Sequence, residues 1–327
     1  MEKLDLKDRK ILYHLDLNCR QSNAQIGKKV GLSKQVVDYR IRRMEDERII
    51  IGYWTEIDSY RFGYQVYRYY IVFQNATSDI KKEIIEQLTN YKNTWVVGTI
   101  KGIYDMSIVI WVKNIPEFYR FWDAFNEKYG DYFAEKLFSV YLKADVYPLS
   151  YLIIDDYEKS ERDTYLQTTG GEETVVIDKT DYKLLYEIVE NARIPLIELA
   201  EKLNCSSQSV NYRIKNLLKT SVIQGFHVSI DSSKLGYKDF KVDIWLKEVS
   251  KRKKIWNYIK YNPYVTFINT SAGYADLEIE FTIEDSDKLI DVMEEVSSKF
   301  PGAIRKYIHW NAKKLYKLRC LPTMEFK

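Results

Sequence analysis

The sequence predicts an α+β protein: two winged helix-turn-helix domains, each followed by a βαββαβ sheet domain, arranged as an internal pseudo-dimer. Three observations carry this reading. Shifted by 173 residues, positions 5–64 of the 327-residue chain align with 178–237 without a gap, and 21 of the 60 positions are identical. Each repeat opens with apolar residues at helical spacing and then turns to β-favouring runs. The remainder of each half reads strand, helix, strand, strand, helix, strand.

In the first copy Ile11, Leu12 and Leu15, then Ile26 and Val30, then Val37, Ile41 and Met44 mark three short amphipathic helices. Gly31, matched by Asn204, sits between the second and third, and both residue types tolerate the left-handed backbone of a tight turn. Ser33 and Ser206 follow as N-caps of the third helix, with Val36 and Ser209 at the third helical position, so no capping box is expected. The runs 49–53 and 222–226 predict a small ribbon or wing beside the helices. Strands are then expected over 66–73, 95–100, 104–112 and 138–147, with helices over 79–88 and 116–128. The second half repeats the order through 242–246, 251–259, 265–270, 277–282, 287–299 and 304–318.

The domain boundaries that follow are 1–60, 61–154, 174–233 and 234–327, with 155–173 as a linker. That linker holds 7 acids against 2 bases and ends in Gly170-Gly171, which predicts a flexible tether. As a random coil it would span roughly 25 Å.

Apolar residues at 46% and charged residues at 30% exclude a collagen-like or disordered chain. The longest run without a charge, 261–275, is too short and too polar for a membrane helix, so no membrane partner is expected. A start of Met1-Glu2-Lys3 shows no secretory signal, and three scattered cysteines, Cys19, Cys205 and Cys320, fit a reducing, cytoplasmic setting. The net charge of +3 is too small to name a partner, but residues 1–55 carry 12 bases against 8 acids, a local basic face.

The third helix of each copy is the candidate site. With Val37, Ile41 and Met44 inward, Ser33 and Lys34, Gln35, Asp38, Tyr39 and Arg42 lie at the cap or face outward. In the second copy Val210, Ile214 and Leu217 turn inward, leaving Ser206, Ser207, Gln208, Asn211, Tyr212 and Lys215. Gln35, Gln208 and Asn211 can bond adenine in two places, while Arg40, Arg42, Arg43, Arg213 and Lys215 can meet phosphate or guanine. The copies differ, Asp38 against Asn211 and Arg43 against Asn216, which predicts two unequal readers of double-stranded DNA, the second the weaker. The bland alternative is a solvated face whose arginines pair with acids such as Glu45 and Asp46.

The run 4–12, Arg20, Gly31-Leu32-Ser33, Arg40 to Glu45, Ile50 to Tyr53 and Ile57-Asp58 resembles the helix-turn-helix signature of the Lrp/AsnC (feast/famine) family of transcription regulators, and it recurs in the second copy. The resemblance implies a ferredoxin-like sensing and oligomerising domain behind each reader. It also implies a sequence-specific regulator and a homo-oligomer built, here, on two units fused in one chain. Family effectors are typically amino acids; the resemblance places such a site at Thr99, Gly102, Tyr104, Asp105, Thr270, Gly273, Tyr274 and Asp276. The glycines there can equally serve tight turns, and the aspartates can tie down backbone amides.

No catalytic set, cofactor or metal is expected. His14, His227 and His309 lack ligand spacing, and no glycine loop has phosphate-binding form. Two alternatives remain. Sirohaem decarboxylases resemble the same regulators and also occur as fused pairs, and His309 with Arg305 and Lys306 hints at a propionate-binding surface. A purely architectural DNA binder would show salt-dependent binding with little sequence preference.

Overall fold

The computed structural model describes residues 4–158, 162–163, 166–168 and 173–326; Gly170-Gly171 and residues 1–3 lie outside the described residues. The first copy runs α1 (Leu6–Leu17), α2 (Asn23–Val30), α3 (Lys34–Asp46), β1 (Ile50–Ile57), β2 (Gln65–Phe73), α4 (Ser78–Asn90), β3 (Thr94–Lys101), β4 (Met106–Val112), α5 (Ile115–Tyr129) and β5 (Phe133–Val146). A short strand β6 (Leu166–Thr168) follows. The second copy repeats the order as α6 (Lys179–Ile188), α7 (Leu196–Leu203), α8 (Ser207–Lys219), β7 (Ile223–Ile230), β8 (Lys238–Leu246), α9 (Arg252–Ile259), β9 (Val265–Ala272), β10 (Leu277–Ile283), α10 (Ser286–Lys299) and β11 (Ile304–Leu318).

Local chemistry starts the helices where the pattern predicts. Asp5 caps α1 by accepting from Asp8 N at 2.8 Å while the Asp8 carboxylate accepts from Asp5 N, a capping box that Asp178 and Asp181 repeat on α6. Gly31 (φ 69°) and Asn204 (φ 49°) turn the chain through the left-handed region before the third helix. Ser33 and Ser206 then accept from Val36 N and Ser209 N, and no capping box forms there.

The expected wing takes another form. β1 pairs with β7 rather than within its own copy, Ile50 opposite Ile230 and Ile57 opposite Ile223, which makes one antiparallel ribbon between the copies. Each strand alone would leave its amides unpaired, and the counterpart supplies the partner. Further bonds cross in matched pairs: Cys19 N to Phe226 O (2.9 Å) with Ala192 N to Tyr53 O (3.1 Å), and Asp58 N to Val222 O with Asp231 N to Ile49 O, both 2.9 Å.

The sheet domains also fuse. Each has the order fourth, first, third, second strand, and pairing of β3 with β11 and of β9 with β5 closes eight strands into a ring. The same pseudo-two-fold that relates the ribbon strands relates these joints: Asn311 lies opposite Lys101, and its equivalent Val140 lies opposite Ala272. The helices cover the outside of the ring with Ile84, Leu88, Phe118 and Phe125 in one copy and Ile255, Ile259, Leu289 and Met293 in the other. Inside it lie Arg68, Lys241, Asp243 and Glu278, all buried.

The described part of the linker is anchored rather than free. Arg162 is fully buried and donates to Pro148 O (3.0 Å), Ser150 Oγ (2.9 Å), Val265 O and Lys260 O, while β6 adds to the edge of β5. A guanidinium satisfied by four oxygens has no reason to leave them.

Candidate nucleic-acid interface

α3 and α8 bury the stripes the spacing predicts, Val37, Ile41 and Met44 in one and Val210, Ile214 and Leu217 in the other. Outward, Lys34, Gln35 and Arg42 are exposed on α3, as are Gln208 and Lys215 on α8. The matched tyrosines are strongly exposed, Tyr39 at 66% and Tyr212 at 72%. Ser33 and Ser206 are spent as caps, and Ser207 and Asn211 are part-buried. Asp38 accepts from Asn23 Nδ2 at 3.1 Å and faces Arg42 Nη2 at 3.2 Å.

Three of the arginines expected at DNA are turned inward instead. Arg40 Nη1 meets Asp5 and Asp8 at 2.8 Å each, and Arg43 Nη2 meets Asp8 at 2.5 Å. Arg213 repeats the arrangement with Asp178 (2.8 Å) and Asp181 (2.6 Å). These partners are the capping carboxylates of the first helix of each copy. Hydrogen bonds to Asp5 and then Asp8 push the Arg40 guanidinium above its ordinary value. These side chains fasten the third helix to the first. The cationic groups left facing out are Lys34 and Arg42 on α3 and Lys215 and Lys219 on α8.

Arg20 and Arg193, identical in the repeat but outside its apolar stripes, gained no role from the sequence. They reach across the pseudo-axis: the Arg20 guanidinium lies 5.6 Å from the Phe226 ring centre, and Arg193 lies 5.1 Å from that of Tyr53. Identity at a position that serves neither the core nor the outward face was the available signal.

The expected effector residues are occupied by the fold. Asp105 Oδ2 accepts from Phe73 N and Asp276 Oδ2 from Leu246 N, both at 2.7 Å, which ties down equivalent strand ends. Tyr104 and Tyr274 join hydroxyl to hydroxyl at 2.9 Å. Gly102 (φ 159°) leaves no room for a Cβ against Trp310, and Gly273 (φ 90°) turns beside Phe138. Thr99 and Thr270 are part-buried on β3 and β9. Among the residues of the alternative propionate surface, Lys306 Nζ lies 4.3 Å from the Trp245 ring centre and His309 stands edge-on to Phe240. Among the described residues no group of three His, Cys, Asp or Glu is placed to hold a metal, and no helix is long and apolar enough to cross a membrane.

Residues 4–45 match the AsnC-type helix-turn-helix domain, and residues 177–224 match the winged helix-turn-helix DNA-binding domain. An uncharacterized HTH-type transcriptional regulator of Pyrococcus furiosus is 34% identical over 102 residues, 31% of this chain and 68% of that protein. The HTH-type transcriptional regulator LrpA of Pyrococcus horikoshii is 25% identical over 130 residues, 40% of this chain and 92% of that protein. Over the whole length, the crystal structure of the siroheme decarboxylase NirDL superposes with a TM-score of 0.62, covering 95% of this chain and 92% of that one. At 13% identity that likeness is one of fold alone.

Proposed function

The chain belongs to the Lrp/AsnC family of helix-turn-helix, DNA-binding transcription regulators, and from that premise we propose that a single polypeptide reads one duplex site through α3 and α8 together. The observation that carries this reading is the paired presentation of one face. Gln35 with Tyr39 and Gln208 with Tyr212 stand exposed at the same spacing on two capped helices, and the ribbon relates those helices by a pseudo-two-fold. Amide side chains on a major-groove helix specify bases, while Lys34, Arg42 and Lys215 supply phosphate contacts.

The two half-sites are unequal in this proposal. α3 carries a cation, Lys34, on its first turn where α8 has Ser207, while Lys215 and Lys219 lie in the second half of α8, so the first reader holds the backbone more strongly at that end. Centre-to-centre spacing near one helical turn, about 10 base pairs, or a multiple of it, suits a two-fold reader. In vitro selection from random duplexes, followed by footprinting, tests the reading. The expected outcome is an enriched site with two dissimilar halves; retention of all sequences alike, with a steep salt dependence, would replace it with an architectural role.

A further inference from the structure

Equivalent positions of the two sheet domains are furnished differently. In the first copy Trp95 and Trp111 stack with ring centroids 5.3 Å and planes 7° apart, Trp111 donates to Ser59 Oγ at 3.1 Å, and Val66 lies opposite it with Val109 buried nearby. The strand registers place Thr266, Thr282, Asp239 and Glu280 at those positions in the second copy, Asp239 again opposite Thr282. Where the first copy is plugged by two indoles, the second holds a cavity of about 500 Å³. Its walls come from both layers of the molecule: Trp54 and His227 of the ribbon, and Asp239, Glu280, Phe240 and Phe267 of the barrel.

The charge around this space is unbalanced. Lys241 lines this space too, cross-strand from Glu280, but its Nζ is engaged by Glu278 at 2.7 Å and Tyr141 Oη at 3.1 Å; behind it Arg68 meets Glu278 at 2.5 Å, and Asp243 accepts from Tyr274 and Trp310. Asp239 and Glu280 have no cation within ion-pairing distance among the described residues; Asp239 accepts from Thr282 and Ser232, and Glu280 from Asn269. Each carboxylate keeps unused acceptor capacity. His227 is 6% exposed; its Nδ1 bonds Asp16 at 3.2 Å, while Nε2 has no partner among the described residues. Unspent acceptors, a buried ring nitrogen and aromatic walls around one hollow form the surroundings of an organic cation.

We propose that this cavity binds an aliphatic di- or polyamine. The ammonium groups sit on Glu280 and Asp239, the methylene stem runs along Phe267, and the bound amine braces the ribbon on the barrel. An anion is repelled by the same carboxylates. The site is distinct from the reading helices but shares the ribbon that carries them.

Calorimetric titration of the full chain with putrescine and with spermidine, and with acetate as the anionic control, tests this without DNA. A failure here therefore leaves the reader assignment standing. The expected result is saturable binding of at least one amine at one site per chain, with no heat from acetate. Asp239→Val with Glu280→Val, which installs the residues of the plugged copy, should weaken it by about tenfold or more. Thr282→Trp, which fills the space and keeps both acids, should weaken it similarly. Asp123→Ala with Glu127→Ala, exposed acids on α5, should leave it unchanged. Equal loss in the α5 variant, undiminished binding in Thr282→Trp, or no saturable heat at millimolar amine would overturn the proposal.

Discussion

Trp54 and His227 occupy the same position of the two copies and stack on each other across the ribbon, ring centroids 4.8 Å apart at 29°. The pseudo-two-fold passes between them, so the axis carries two different side chains. Only His227 has an acid to reach, because Asp16 is replaced by Val189 in the other copy. The duplication keeps the geometry and lets the chemistry diverge, and the predictions below exploit the divergence.

Glu56, beside this pair, has Ser229 as its counterpart. Burial pushes its carboxyl up to about 7, with the nearby His227 opposing and Asp58 reinforcing the shift. A folded pKa above the unfolded 4.5 means that the stability is fully present below the unfolded value and lost as pH rises through about 7. His227 acts in the same sense: burial lowers it, but Asp16 and Glu56 leave it raised above 6.5, so its contribution also fades as pH rises. Denaturant unfolding at pH 5 and pH 8 should show a loss on the order of 2 kcal/mol between them. In Glu56→Ser most of that loss should vanish; an unchanged pH profile would place the titration elsewhere.

Arg40 and Arg213 should behave as fasteners. Arg40→Ala and Arg213→Ala each leave capping carboxylates with one cation fewer, and a stability loss of about 1 to 2 kcal/mol is expected from thermal or denaturant unfolding. The buried Asp8 keeps Arg43, whereas Asp181 has no such second partner because position 216 is Asn. Lys34→Ala and Lys215→Ala, by contrast, should leave unfolding unchanged and weaken DNA binding.

Much of this fold was legible because the repeat let each expectation be checked twice. The helical stripes, the Gly31 and Asn204 turns and the βαββαβ order all follow from local spacing and backbone preference. What local reasoning cannot reach is pairing between distant segments. β1 reads as a wing because nothing near Ile50 to Tyr53 says its partner begins at residue 223. Arg40 reads as a DNA contact because its partners lie 35 and 32 residues away, at the start of α1. Arg162 sits in an acidic, polar stretch, and only the assembled barrel offers it four oxygens. The exposed faces of α3 and α8, set by helix periodicity alone, were the most directly legible.

Glu278 stands where the first copy has Ser107, and it neutralises Arg68 and Lys241, themselves equivalent positions. Against the cost of burial, Arg68 and then Lys241 pull its carboxyl down to about 2. Glu278→Ser would leave two buried cations to share one buried acid, Asp243, and a loss of about 3 to 5 kcal/mol is expected. Adding Arg68→Met should restore part of it by removing one unpaired charge. A double variant no more stable than the single one would mean that the lost contacts, rather than the charge, set the penalty.

The two readers should separate by salt and by sequence. Arg42 pairs with Asp38 in an exposed contact that contributes little and can be surrendered to a phosphate. Removing Lys34 or Arg42 should therefore weaken binding to every duplex and flatten the slope of log affinity against log salt by about 1 each, and Lys215→Ala should do the same once. Gln35→Ala and Gln208→Ala should leave that slope unchanged. Each instead should lose about 1 to 3 kcal/mol on the selected site and nearly nothing on unrelated DNA, at a base in its own half-site. Because one chain holds both helices, mass measurement of the complex should already show a full two-half footprint with a single polypeptide bound. A footprint that needs two chains would mean that α3 and α8 do not reach the same duplex.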